Sequence, residues 1–377
     1  MSAFRPSLWT SALSALLAAP ALAQPAAAPA APAVELEPVV ITANPFGRDA
    51  DEVVQPVDVL GGETLERQRR ATLGETLEGQ LGVSSSDFGP GVGRPVIRGQ
   101  AGARVAVLEN GIGTLDASTV SADHAVGLDP AHAEQIEIFK GPATLMFGSN
   151  AAAGVVNVVT ARVPDAPVEG IEGLAETSYS GNASERLQRA QVRFGGGGLV
   201  VGGDIATRRA GDFEIPGFAE SAALRAAEAE AGGEGEEAEA FGRLPNSALS
   251  ADSGSVYGGW VRPGLKASAA LSVLQTDYGI PGGHGHHGEA EAEADAEGEE
   301  EGGVRIDLRQ VRSDLGLDLA NPFAGFERLR ARLGHNDYQH TELEPGGEAG
   351  TVYTNRETES RLELTHAPRA GWRGVAG

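Results

Sequence analysis

The 377-residue chain carries 53 Asp and Glu against 29 Lys and Arg, a formal net charge of −24, and no cysteine. Nucleic acid is excluded as a partner, because phosphate binding needs a basic face. A disulfide scaffold and thiolate metal ligands are excluded with the cysteines, so any metal must be held by nitrogen and oxygen.

In chain order, Arg5 precedes an apolar run from Leu8 to Ala19, and Ala21-Leu22-Ala23 follows. This pattern predicts a secretory signal peptide over 1–23, too short to span a bilayer. Residues 24–52 begin as an Ala/Pro-rich tether. Within them "EPVVITAN", 37–44, is a short β-prone run standing alone. It reads either as a stray edge strand or as a peptide that adds itself to another protein's sheet through backbone hydrogen bonds.

From 53 to 163 the pattern is mixed α and β. "TLGETLEGQLG" carries a capping-box signature, Thr72 with Glu75, and places Leu73, Leu77 and Leu81 on one helix face. "RPVIRG" and "ARVAVLENGI" read as strands, with Asn110-Gly111 as a turn. "SSSDF", Ser84 to Phe88, reads as a turn. "AEQIEIFKGPATLMFGSNAAAGVVNVVT" reads as strand, turn, small-residue helix and strand.

From 170 to 377 the chain consists of eight segments of about ten residues with weak alternation. In one, Leu265, Ala267, Ala269, Leu271 and Val273 alternate with smaller or polar residues, as expected when one face meets lipid and the other a wet lumen. Two acidic loops interrupt the strands, over 218–240 and 280–303. The second holds "GGHGHHGEAEAEADAEGEEEGG", too poor in apolar residues to bury a core. Its imidazoles, His284, His286 and His287, sit two and three positions apart among carboxylates and can converge on a borderline divalent ion, zinc by availability and Cu(II) or Ni(II) by intrinsic order. His335, His340 and His366, scattered over strands, read as ordinary polar lumen or interface residues.

Three segments resemble the TonB-dependent outer-membrane receptors: "EPVVITAN" is similar to the TonB box, "RPVIRGQAGARVAVLENGI" to a plug segment, and "IEIFKGPATLMFGSNAAAGVVNVVT" to the end of the plug. The resemblance implies an α+β plug domain followed by the first strands of a transmembrane antiparallel β-barrel in the cell outer membrane. It also implies energy drawn from TonB and its inner-membrane complex through Pro38, Val39, Val40, Ile41 and Thr42. A plug of this size needs a lumen of the 22-strand class, so the chain is expected to be the N-terminal portion of a longer receptor. "SADHAVGLDP" with "DYGIPGGHGHHGE" resembles the zinc-uptake, ZnuD-like branch, which implies that Asp123 and His124 contribute to a zinc site on the plug.

The expected activity is uptake of zinc or another divalent metal as transported ligand, with no catalytic cofactor. Haem, siderophore or cobalamin is the alternative cargo, disfavoured for anionic haem and siderophores by the acidic loops. A surface metal-binding protein without transport is the alternative of another class. No G-x-S-x-G or H-E-x-x-H is present, so an enzyme is not expected.

Overall fold

In a computed structural model the described residues are 57–230, 240–281 and 303–377. The signal peptide, the TonB-box residues 38–42 and the loop histidines 284, 286 and 287 lie outside them.

The first part is built on β1 (Val57–Gly61), α1 (Gly62–Gln68), α2 (Leu73–Leu77), β2 (Val83–Asp87), β3 (Gly93–Ile97), β4 (Val105–Glu109), β5 (Ile112–Gly113), β6 (Ala133–Phe139) and β7 (Gly154–Thr160). Five strands pair in the order β1-β6-β7-β4-β5, with β4 and β7 parallel, and β2 and β3 form a separate hairpin. Period-two alternation sends Ile136, Ile138, Val156 and Val158 into the core under both helices, and Phe139 and Val155 into a smaller cluster on the other face. The capping box forms: Thr72 accepts from the Glu75 amide, and Glu75 accepts from the Thr72 amide. Asn110 and Gly111 both take positive φ, 51° and 87°, which a two-residue hairpin turn of this hand requires.

Three local expectations are corrected. Ser84 to Asp87 belong to β2, paired with β3, not to a turn. Leu81 is 87% exposed, because α2 ends at Leu77 and Glu78 and Gly79 leave helical geometry. The small-residue stretch forms two short 3-10 turns, Pro142–Phe147 and Ser149–Ala151, because glycines with positive φ at 141 and 148 interrupt it.

The second part is an antiparallel wall of β8 (Gly170–Ser180), β9 (Glu185–Gly196), β10 (Leu199–Ala210), β13 (Leu249–Arg262), β14 (Leu265–Gly279), β15 (Arg305–Ala320), β16 (Phe326–Leu343), β17 (Ala349–His366) and the two-residue β18 (Val375–Ala376). Between β10 and β13, the strands β11 (Glu214–Phe218) and β12 (Phe241–Arg243) pair with each other, and α3 (Ala222–Glu230) lies in the acidic segment read above as loop. Among the described residues the wall therefore has nine strands where about eight were expected, the ninth being minimal.

Alternation separates the two faces. Val201, Ile205, Leu271, Val273, Leu315 and Leu362 are exposed on the outside, an apolar band of the kind that meets lipid. Asp204, Arg208, Ser272, Gln310, Arg312 and Asn336 are buried on the inside, against the first domain. No helix among the described residues is long and apolar enough to cross a membrane; the strands supply the apolar surface. The expected fold class holds: a plug packed against part of a transmembrane β-barrel.

Candidate metal centre

The loop between β5 and β6 is shaped by its own carboxylates and held by the wall. Asp116 accepts from the Ser118 amide at 2.9 Å and from the Gly127 amide at 2.7 Å, closing the loop on itself. Four barrel strands then grip its backbone. Tyr278 on β14 accepts from the Ala125 amide at 3.0 Å, and Gln310 on β15 donates to the Gly127 carbonyl at 2.8 Å. Asn336 on β16 and Asn355 on β17 both donate to the Leu115 carbonyl, at 2.8 and 3.2 Å. A loop backbone fixed at so many points presents His124 to the wall at a defined place.

There it meets β16. The two-residue period of the strand puts Tyr338, His340 and Glu342 on the lumen face, and one nitrogen of His124, one of His340 and one carboxylate oxygen of Glu342 lie within 4.8 Å of one another. His124 and His340 are 1% and 0% exposed. Their rings meet edge-on with centroids 4.4 Å apart, and Tyr353 of β17 contacts both, at 4.8 and 4.6 Å.

On each ring Nδ1 is held in a hydrogen bond, and the two Nε2 atoms differ in their partners. His124 Nδ1 lies 3.1 Å from the Ala117 carbonyl oxygen, which can only accept, so Nδ1 carries a proton, and Nε2 lies 3.4 Å from Glu342 Oε1. His340 Nδ1 contacts the Tyr338 hydroxyl at 2.7 Å, while its Nε2 is buried without a hydrogen-bond partner. Orienting one imidazole nitrogen on an outer acceptor and reserving the other for an ion is the usual arrangement at metal-binding histidines. Zinc at about 2.0–2.1 Å from each donor sets neighbouring donors roughly 3.4 Å apart, so capture would draw the group together by up to about 1.4 Å. Glu342, one-fifth exposed, has room to move.

Of the residues expected from sequence, His124 lies in this group and Asp123 does not. Adjacent side chains diverge, and the Asp123 carboxylate accepts from the Ser121 hydroxyl instead. His340 and Glu342 were missed, His340 having been read as ordinary lumen polarity. The other described histidines have local roles. His132 sits 2.8 Å from both Asp204 and Ser253, through its two ring nitrogens, while His335 contacts Thr358 and His366 contacts the Ala367 carbonyl.

Deeper in the lumen, plug and wall are joined by buried charge. Glu109 pairs with Arg162 at 2.5 Å and with Arg312 of the wall at 3.7 Å, and Arg312 pairs with Asp314 at 2.9 Å. Burial would push the Glu109 carboxyl up, but Arg162, Arg312 and His132 more than offset it and hold it below the usual carboxylate range.

Residues 49–155 match the TonB-dependent Receptor Plug Domain. This part of the chain is a TonB-dependent receptor plug domain. Over 174 residues, 46% of the chain, the sequence is 29% identical to the vitamin B12 transporter BtuB of Photobacterium profundum, of which the match spans 28%. Among solved structures, the copper transporter OprC is similar with a TM-score of 0.62 at 16% identity, over 83% of this chain and 44% of OprC. A mutant of the ferric enterobactin receptor PfeA from Pseudomonas aeruginosa gives 0.57 at 16% identity, over 89% and 49%. The FrpB iron transporter from Neisseria meningitidis gives 0.55 at 14%, over 83% and 47%. The chain thus spans less than half the length of each of these structures, and at such identities the likeness is one of fold. The sequence is homologous to TonB-dependent receptors, and these relatives are receptors and transporters.

Proposed function

We propose that the protein is a TonB-dependent outer-membrane receptor that takes up zinc, capturing the ion between plug and barrel on His124, His340 and Glu342. The observation that carries this reading is the buried Nε2 of His340, which has no hydrogen-bond partner, beside the His124–Glu342 pair. A buried polar atom left without a partner is costly, and a cation shared with the facing imidazole would satisfy it.

The donor set favours a borderline divalent ion. Two imidazoles and a carboxylate, with no thiolate and only two methionines in the chain, suit zinc and disfavour Cu(I), which prefers soft sulfur ligands. Cu(II) and Ni(II) would bind by intrinsic order and compete where available. Three protein donors leave a position open, which suits a cargo that must later leave. Haem, siderophore or cobalamin is supported less well here, because Tyr353 closes over both imidazoles and a macrocycle would have to displace it.

In this reading the loop with His284, His286 and His287 is a first, weaker collector. Its flanks Ile280 and Val304 are joined by a 2.9 Å backbone hydrogen bond, and Arg305 pairs with Leu343, one residue beyond Glu342. The loop therefore leaves the wall at the end that holds the centre. The box residues Pro38, Val39, Val40, Ile41 and Thr42 would engage TonB by strand addition.

Direct zinc titration of the receptor in detergent tests the cargo. His340→Ala should abolish the tighter of two binding phases and leave the loop phase. Identical titrations for wild type and His340→Ala would overturn the assignment.

A further inference from the structure

A cleft of about 450 Å³ opens at one end of the wall, lined by Arg186, Arg209 and Arg305 together with Ser250 and Asp277. It lies apart from the metal centre, on the other face of the sheet. Leu187, Arg208, Tyr278 and Ile306 are buried toward the plug, so their neighbours Arg186, Arg209, Asp277 and Arg305 point outward. In a chain of net charge −24, a pocket with three guanidiniums and one carboxylate is a local reversal of sign.

Two of the guanidiniums are held in place. Arg209 donates to Asp252 at 2.7 Å and to the Ala251 carbonyl at 3.0 Å. Arg305 donates to Asp277 and, at 3.3 Å, to Asn246. Arg186 has no side-chain partner among the described residues, yet it stands directly opposite Arg209 in the β9–β10 register. Like charges opposite each other on one sheet face are destabilising, unless an anion lies between them.

The level of the cleft identifies the anion's source. Ile205, 66% exposed on the same face of β10, and Val273, 38% exposed on β14, each lie four residues along the strand from a cleft residue. That is about 13 Å at the rise of a strand. Tyr179, 65% exposed and paired with Arg186, adds the aromatic residue common where such a wall leaves the apolar layer. The cleft therefore sits at headgroup level.

We infer that Arg186, Arg209 and Arg305 form a binding site for the phosphate of an anionic membrane lipid on the outer wall of the barrel. Guanidiniums fix phosphate oxygens through paired, charge-assisted hydrogen bonds. The proposal rests on the reading of the sheet as a membrane wall and is independent of the cargo, so failure of zinc binding would leave it standing.

The test uses the receptor extracted from its membrane in detergent, with native mass spectrometry and organic-phosphate analysis after detergent exchange. Because Arg186 makes no side-chain hydrogen bond or ion pair among the described residues, Arg186→Gln is expected to leave the fold intact, which the circular dichroism spectrum checks. Wild type should retain a phosphorylated lipid, and Arg186→Gln should lower its occupancy roughly tenfold, as expected for one lost guanidinium–phosphate contact. Arg356→Gln, on the outward face of β17, should not change it. In the source arm, a phosphorylated glycolipid should rebind to delipidated protein, while its dephosphorylated form and inorganic phosphate should not. Equal retention by wild type and Arg186→Gln, equal binding of the dephosphorylated lipid, or binding of inorganic phosphate alone would each overturn the proposal.

Discussion

His124 of the plug and His340 of the barrel wall meet edge-on, ring centroids 4.4 Å apart, each holding its Nδ1 in a hydrogen bond. The centre is therefore shared between the two parts of the fold and cannot form in either alone. Movement of the plug relative to the wall would dismantle it, which offers a route from capture to release.

The first consequence concerns the two neighbours singled out from sequence. His124→Ala should weaken zinc binding by more than about tenfold, since even an outer-partner change at such sites costs that much. Asp123→Asn should cost less, because its carboxylate is engaged by Ser121 and is absent from the donor group. Competition titrations with a zinc chelator on both variants check the order.

Tyr338 supports the centre from behind. Tyr338→Phe removes the hydroxyl that orients His340 Nδ1, and should lower zinc affinity by roughly 10- to 100-fold without altering the fold. Equal affinity with an unchanged circular dichroism spectrum would show that the hydroxyl does not orient the ligand.

The Glu109 cluster should make the plug–wall contact acid-sensitive. A carboxyl whose pKa is depressed on folding contributes stability that is present above its unfolded value, near 4.3. That contribution is lost as pH falls through the lower folded value. Stability toward denaturant should thus be level at neutral pH and fall below about pH 4. Glu109→Gln leaves Arg162 and Arg312 under-compensated and should destabilise by roughly 3 kcal/mol at pH 7, with a weaker acid dependence than wild type.

The box makes a separate prediction. Ile41→Pro removes a backbone donor from any added strand, so it should abolish uptake by intact cells while leaving zinc binding to the purified receptor unchanged. Undiminished uptake would place the energy coupling elsewhere.

Much of the architecture was legible. The capping box at Thr72, the Asn110-Gly111 turn and the alternating segments from 170 onward are local signals, and each has a local physical cause. A helix face reaching Leu81 does not form, because the break at Glu78 and Gly79 is a backbone event that the leucine spacing does not report. One of the three residues of the candidate centre was legible too: His124 stood in a turn-rich loop. His340 and Glu342 were not, although "YQHTE" already placed Tyr338, His340 and Glu342 on one face of a strand. Alternation says which residues share a face. It does not say which part of the plug that face will meet, since this depends on contacts between residues more than 200 positions apart.

The most direct test of the centre is zinc-edge X-ray absorption on the receptor loaded with one equivalent of zinc. The account predicts two imidazole nitrogens and a carboxylate oxygen at about 2.0–2.1 Å, with one imidazole lost in His340→Ala and one in His124→Ala. An unchanged imidazole count in both variants would contradict it.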